Sequence, residues 1–329
     1  MLLLSFIRPT AKFKRKGPTE RTHFHQEADC IVPINQWQHL VPKVYLKQWA
    51  KDNCITILDC AGGQCRQVEI AMFTTKLNFY DITWAESDLA KHNEIELGRL
   101  EKDYCSFLKT IQTQRGLKQE KWQAYCDRLV ALMFVRTETY WSAFNNALNN
   151  SVEREKLLNE IYENPLERCS QRIVLELFYQ TQPVNIVLCD IARKVQTKLK
   201  EFNQIILHTN PVERPFFTST NPVLVFSHCS GVSTLFDWSS EVYLPLSPEF
   251  CLYMYHPIHC NNINFLQEFQ NGEISQAPPE FVWALNTKLS MLSGSTEYVM
   301  PHWIDVPEFI RMEEDELENL DKQLGGFFT

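Results

Sequence analysis

Glycine is scarce in this chain, with 10 residues among 329 against a usual share of roughly 7%. Large β-sandwiches and glycine-rich nucleotide loops are hard to build at that level, because both rely on positive φ or close backbone approach. The signature loops are missing as well. There is no Gly-x-x-x-x-Gly-Lys, Gly-x-Gly-x-x-Gly, Gly-x-Ser-x-Gly or His-Glu-x-x-His, which argues against the common phosphate-binding, dinucleotide-binding, serine-hydrolase and metalloprotease classes. No apolar run approaches the roughly 20 residues that span a bilayer. The opening Met1-Leu-Leu-Leu-Ser-Phe-Ile7 has no basic residue before it and is shorter than a secretory apolar core. The 11 cysteines are odd in number, irregularly spaced and without a Cys-x-x-Cys pair, as a reducing compartment permits. A cytoplasmic protein with no membrane partner is expected.

What is present is ordinary for a globular chain: 44% apolar and 22% charged residues, long enough for a sizeable core. The formal charge of −8 argues against broad nucleic-acid binding, which depends on neutralising phosphates with Lys and Arg. It leaves a local basic groove open. Lys12, Lys14, Arg15 and Lys16 cluster near the start, and Arg193, Lys194, Lys198 and Lys200 on one helix, opposed by acidic Glu313-Glu-Asp-Glu316. Each cluster also reads as a solvated face or terminus.

The hydrophobic period predicts an α+β fold: an N-terminal helix and β-hairpin, a helical middle, and a mostly antiparallel C-terminal sheet with a packed helix. Residues 1–35 read as an arm, 36–305 as a single α+β domain with its helical part at about 84–200 and its sheet at about 202–302, and 306–329 as an acidic tail. Pro42 suits the first turn of a helix starting near Val41. Cys54–Asp59 and Arg66–Ala71 flank Ala-Gly-Gly-Gln, a hairpin signal. Trp122, Tyr125, Leu129, Leu132, Met133, Tyr140 and Phe144 predict one long amphipathic helix over Gln119–Leu148. Strands are expected at 204–208, 215–218, 223–226, 241–244, 251–255 and 298–302, and a final helix over 280–293.

Arg136 falls on that apolar stripe, so a guanidinium points at the core and needs a partner. Ala90, Glu94, Leu97, Glu101, Tyr104, Leu108 and Ile111 share a helical face, making Glu94 and Glu101 the acids placed to answer it. Two carboxylates two turns apart beside an arginine can bind a divalent metal such as Mg, serve as acid and base, or form a structural ion-pair network. His39, just before the first helix, is a candidate proton-transfer residue or a packing histidine. Thr218, Ser219 and Asn221 crowd a corner fixed by Pro222, where they could hold turns together or present donors to a phosphate. Ser247 and Asn286 are polar among apolar neighbours, with turn and capping roles as the plain alternative. His228, Cys229, His256, His259 and Cys260 have metal-ligand chemistry but no recurring paired spacing, so zinc is not expected.

Four segments carry a resemblance: His39-Leu-Val-Pro-Lys-Val-Tyr-Leu-Lys-Gln-Trp49, Phe134-Val-Arg-Thr137, Phe217-Thr-Ser-Thr-Asn-Pro222 and Leu244-Pro-Leu-Ser-Pro248. In order and spacing they resemble the bacterial family called domain of unknown function 4238, over roughly His39 to His302. Lys43 stands where the family has Gln, and Thr220 where it has Asp, which shifts weight to Asn221. Some relatives of this kind are prophage-borne antiviral proteins. The resemblance therefore implies a bacterial anti-phage effector. Its chemistry is expected to be abortive infection through hydrolysis of RNA, DNA or another phosphodiester. In that reading His39, Arg136, Glu101 and Asn221 are catalytic, Lys43, Thr218, Ser219, Ser247 and Asn286 bind substrate, and Glu94 with Glu101 holds any metal. The alternative is a non-enzymatic sensor that recognises a phage component and acts through a partner or a homo-oligomer.

Overall fold

The computed structural model describes residues 37–59, 64–82, 92–114, 120–177, 182–227, 239–258, 271–292 and 297–301. The arm, the acidic tail, the hairpin tip at 60–63, His228, Cys229, His259, Cys260 and His302 lie outside them. Among the described residues eleven strands and eight helices form the predicted α+β architecture.

The chain enters on β1 (Trp37–His39) and α1 (Lys43–Leu46). Pro42 is the N-cap of α1, where its missing N–H costs nothing. β2 (Cys54–Asp59) and β3 (Cys65–Glu69) form the expected antiparallel hairpin, Ile55 facing Val68. β4 (Thr75–Leu77) then returns to pair antiparallel with β1, so His39 ends a strand that local pattern did not indicate.

The helical middle comprises α2 (His92–Gln114), α3 (Glu120–Arg136), α4 (Glu138–Asn149), α5 (Ser151–Ile161), α6 (Pro165–Leu177) and α7 (Val184–Leu199). The single helix expected over Gln119–Leu148 is two. Thr137 adopts φ −71 and ψ 145, its hydroxyl donates to the Phe134 carbonyl at 3.1 Å, and its own carbonyl accepts from Trp141 N at 2.9 Å to start α4. A buried Thr thus closes one helix and opens the next without Gly or Pro. The stripe still faces inward on both pieces: Trp122, Tyr125, Leu129, Leu132, Met133 and Phe144 are buried.

The C-terminal part contains β5 (Asn203–His208), β6 (Thr218–Ser219), β7 (Leu224–Ser227), β8 (Ser240–Pro245), β9 (Phe250–Tyr255), β10 (Ile274–Gln276), α8 (Pro279–Leu292) and β11 (Glu297–Met300). The expected strand at 215–218 shrinks to two residues, because Phe216 and Phe217 are engaged with the turn at Pro248 and with Asn286. Five strands run in the order β10-β5-β9-β8-β7, antiparallel except for β10 along β5. Every residue of β8 and β9 is buried, as for strands covered on both faces.

A further sheet, β3-β2-β11-β6, joins the expected hairpin to two strands of the C-terminal part. β11 inserts between β2 and β6, pairing Val299 with Ile57 on one side and Thr218 on the other. The main hydrophobic core accordingly includes residues from Leu40 to Val299. A second cluster, with Tyr243, Tyr253, Phe281 and Tyr298, lies between strands and α8.

Candidate functional site

His39 is fixed from its C-terminal side. Leu40 N donates to Thr74 O at 2.9 Å and Val41 N to Thr74 Oγ1 at 3.3 Å. Thr74 has φ 52, a left-handed conformation that a β-branched residue resists, so these bonds hold it there. The His39 carbonyl accepts from Arg136 Nη2. Its imidazole is hydrogen-bonded to the Ile70 backbone, in the sense that favours the protonated ring, while Nε2 is buried without a hydrogen-bond partner. Nδ1 therefore carries the proton given to Ile70, and Nε2 keeps its lone pair. Burial, then the nearby Arg136 and Lys43 charges, lower the imidazole pKa against the opposing pull of Glu101 and the Ile70 bond. The ring is neutral at cellular pH.

Arg136 closes α3, its side chain 2% exposed. Nη1 reaches Glu101 Oε1 at 3.3 Å, and the guanidinium carbon lies 5.9 Å from the Tyr80 ring centroid. Tyr80 Oη donates to the Arg136 carbonyl at 3.0 Å, and burial pushes that phenol up to about 12. Burial works against the charge on Arg136, but Tyr80 and Glu101 more than offset it and its pKa rises. Its Nε, like His39 Nε2, has no partner. Glu94 and Glu101 lie two turns apart on α2, as their spacing predicts. Burial raises the Glu94 pKa, with Glu101 and Asp81 adding and Arg136 opposing. Lys43, at the start of α1, is exposed, and His39, Glu94 and Glu101 are half-buried, so that of this group Arg136 alone is wholly buried. His39, Arg136, Glu101 and Glu94 are thus brought together.

A polar network not anticipated from sequence supports the floor of this group. Gln38 accepts from Tyr80 N and donates to Asp81 Oδ1, both at 2.7 Å. Asn185 Nδ2 donates to the Phe79 carbonyl at 2.8 Å, and its Oδ1 accepts from Trp141 Nε1 at 3.1 Å. Asn93 Nδ2 donates to the carbonyls of Tyr80 and Asn185. The one available signal was Asn185 itself, an amide among Val184, Ile186, Val187 and Leu188, which demands buried partners.

The Thr218 corner forms a second group, joined to the first through α1. Tyr45 Oη lies 2.6 Å from Thr218 Oγ1 and donates to Pro245 O at 2.6 Å. Trp49 Nε1 donates to Phe216 O at 2.8 Å, and Tyr104 Oη on α2 donates to Leu246 O. Ser219 Oγ accepts from Asn221 N at 3.1 Å. Ser247 Oγ accepts from Glu249 N and Phe250 N, a turn-forming pattern. Asn286 clips backbone, donating to Pro215 O at 2.8 Å and accepting from Phe217 N at 2.9 Å. Thr218, Ser219, Asn221, Ser247 and Asn286 are all buried.

Among the described residues no three His, Cys, Asp or Glu side chains converge to hold a metal ion. Glu94 and Glu101 as metal ligands would need further ligands from elsewhere. No helix among those residues is long and apolar enough to cross a membrane.

Fold and site define an α+β protein built around a buried arginine tied to a histidine backbone and a carboxylate. Residues 37–302 match the family described as protein of unknown function, DUF4238, and the chain belongs to that family. No curated protein and no solved structure matches it.

Proposed function

We propose that this protein is a bacterial anti-phage effector that causes abortive infection by hydrolysing a phosphodiester, in RNA, DNA or a smaller molecule. The observation that carries the reading is His39: a neutral imidazole whose Nε2 lone pair is buried and unpartnered. Such an atom has the free lone pair a general base needs, and acts as one once substrate binding brings a water within its reach. In the reaction, a water oxygen bonds to phosphorus while the bond to the leaving oxygen breaks. The water proton passes to His39 Nε2, and Glu94, whose raised pKa suits an acid, returns a proton to the leaving oxygen. Lys43 offers exposed positive charge to the phosphate. Arg136, buried and already bonded to His39 O and Glu101, acts as a positioning residue that holds base and carboxylate together.

Plaquing efficiency and cleavage of RNA, DNA and small phosphodiesters, with and without Mg, test this on wild type, His39→Gln and Glu94→Gln. Loss of protection and of cleavage with unchanged melting is expected. Full protection by both variants sinks the proposal.

A sensor acting through a partner is the second reading, favoured by Leu166, Ile173 and Leu177 on α6. Their spacing puts them on one helical face, and Leu166 and Leu177 are 77% and 72% exposed. Under it, Leu166→Glu with Leu177→Glu abolishes protection while His39→Gln does not.

A further inference from the structure

A groove of about 400 Å³ opens between the end of α5, α6 and α7, lined by none of the residues of the His39 group. Its lining charges are mostly committed. Lys194 Nζ pairs with Glu163 at 2.7 Å, and Asp190 accepts from both Arg193 and Tyr162. Two acceptors are not. Glu167, half-buried in the first turn of α6, forms no salt bridge among the described residues. One turn further along α6 is Gln171, 3% exposed, whose Oε1 has no hydrogen-bond partner. A buried amide oxygen left unpaired is destabilising, so a ligand donor is the economical way to answer it.

Three carboxylates, Glu163, Glu167 and Asp190, face two cations in this lining, so the groove is net acidic and disfavours anions. The uncommitted groups accept hydrogen bonds and one is charged. The geometry points to a binding site for an ammonium or guanidinium group, with Glu167 pairing its charge and Gln171 Oε1 taking one of its N–H donors. That group can belong to a free polyamine or to a Lys or Arg side chain of a partner protein. The site is independent of the hydrolytic reading.

Titration calorimetry of the full chain with agmatine, spermidine and a capped Gly-Arg-Gly peptide tests the assignment, on wild type, Glu167→Gln and Gln171→Leu, with melting measured for each. Binding by wild type is expected, at least about tenfold weaker in either variant. Preference for spermidine and agmatine identifies a small-molecule site, and preference for the peptide identifies a protein partner. No binding by any probe at millimolar concentration overturns the proposal, as does binding that Glu167→Gln leaves unchanged. So does a Gln171→Leu protein that melts higher while wild type binds nothing.

Discussion

The His39 group is built from titratable side chains and the Thr218 corner from hydroxyls and amides, and the two are wired differently. At the corner, Ser247 bonds backbone two and three residues onward, Asn286 clips Pro215 and Phe217, and Thr218 meets Tyr45. These bonds are what hold the corner's backbone in place. In the His39 group the long-range contacts hold Arg136 and His39 in place while leaving His39 Nε2 and Arg136 Nε without partners. Polar side chains that complete a turn or clip a strand spend hydrogen bonds on the backbone they hold. Those held by others, with bonding capacity left over, are where chemistry is to be sought.

The sharpest break of that comparison is Arg136→Ala. It releases the His39 carbonyl and Glu101 together and should destabilise the protein by about 3 kcal/mol in urea unfolding, toward the low end for a buried pair because Glu101 is partly solvated. Arg136→Met keeps the packing, adds no charge and should lose less. Next comes Asn286→Ala, expected to cost about 2 kcal/mol by orphaning a buried amide and carbonyl. Its effect on protection should track its effect on melting. Ser247→Ala removes two local turn bonds to one hydroxyl and should cost about 1 kcal/mol. If it abolished protection at unchanged stability, the corner would have to be counted as functional.

The smallest effect concerns pH. Because the folded imidazole of His39 has a lowered pKa, the unfolded chain binds a proton more readily. Wild type should therefore lose stability as pH falls below about 6.5, the unfolded value. His39→Gln should show a flatter melting profile from pH 7.5 to 5.5. Equal slopes would mean that His39 is not held neutral.

Much of this was legible in the sequence. Periodicity located the long helices and the hairpin, and the shared faces of two helices were enough to pair Arg136 with Glu101. The break at Thr137 was not legible, since the competing hydroxyl bond to Phe134 leaves no Gly or Pro behind. Nor was β1–β4, three residues each, too short for alternation to register. Nothing in the sequence set Tyr45 or Tyr104 apart as polar, and only the fold reveals that their hydroxyls tie α1 and α2 to the carbonyls of Pro245 and Leu246. The insertion of β11 between β2 and β6 pairs Val299 with Ile57 and Thr218, far apart in the chain, where no local preference operates.

That insertion also bears on when the fold can close. At roughly 5–20 residues per second, the ribosome makes β11 on the order of tens of seconds after β2. Until then β2 has an unfilled edge, Thr218 lacks Val299, and the core lacks a strand. The join between the N-terminal hairpin and the Thr218 corner can therefore form only after β11 has been made, however early the two pieces it connects were translated.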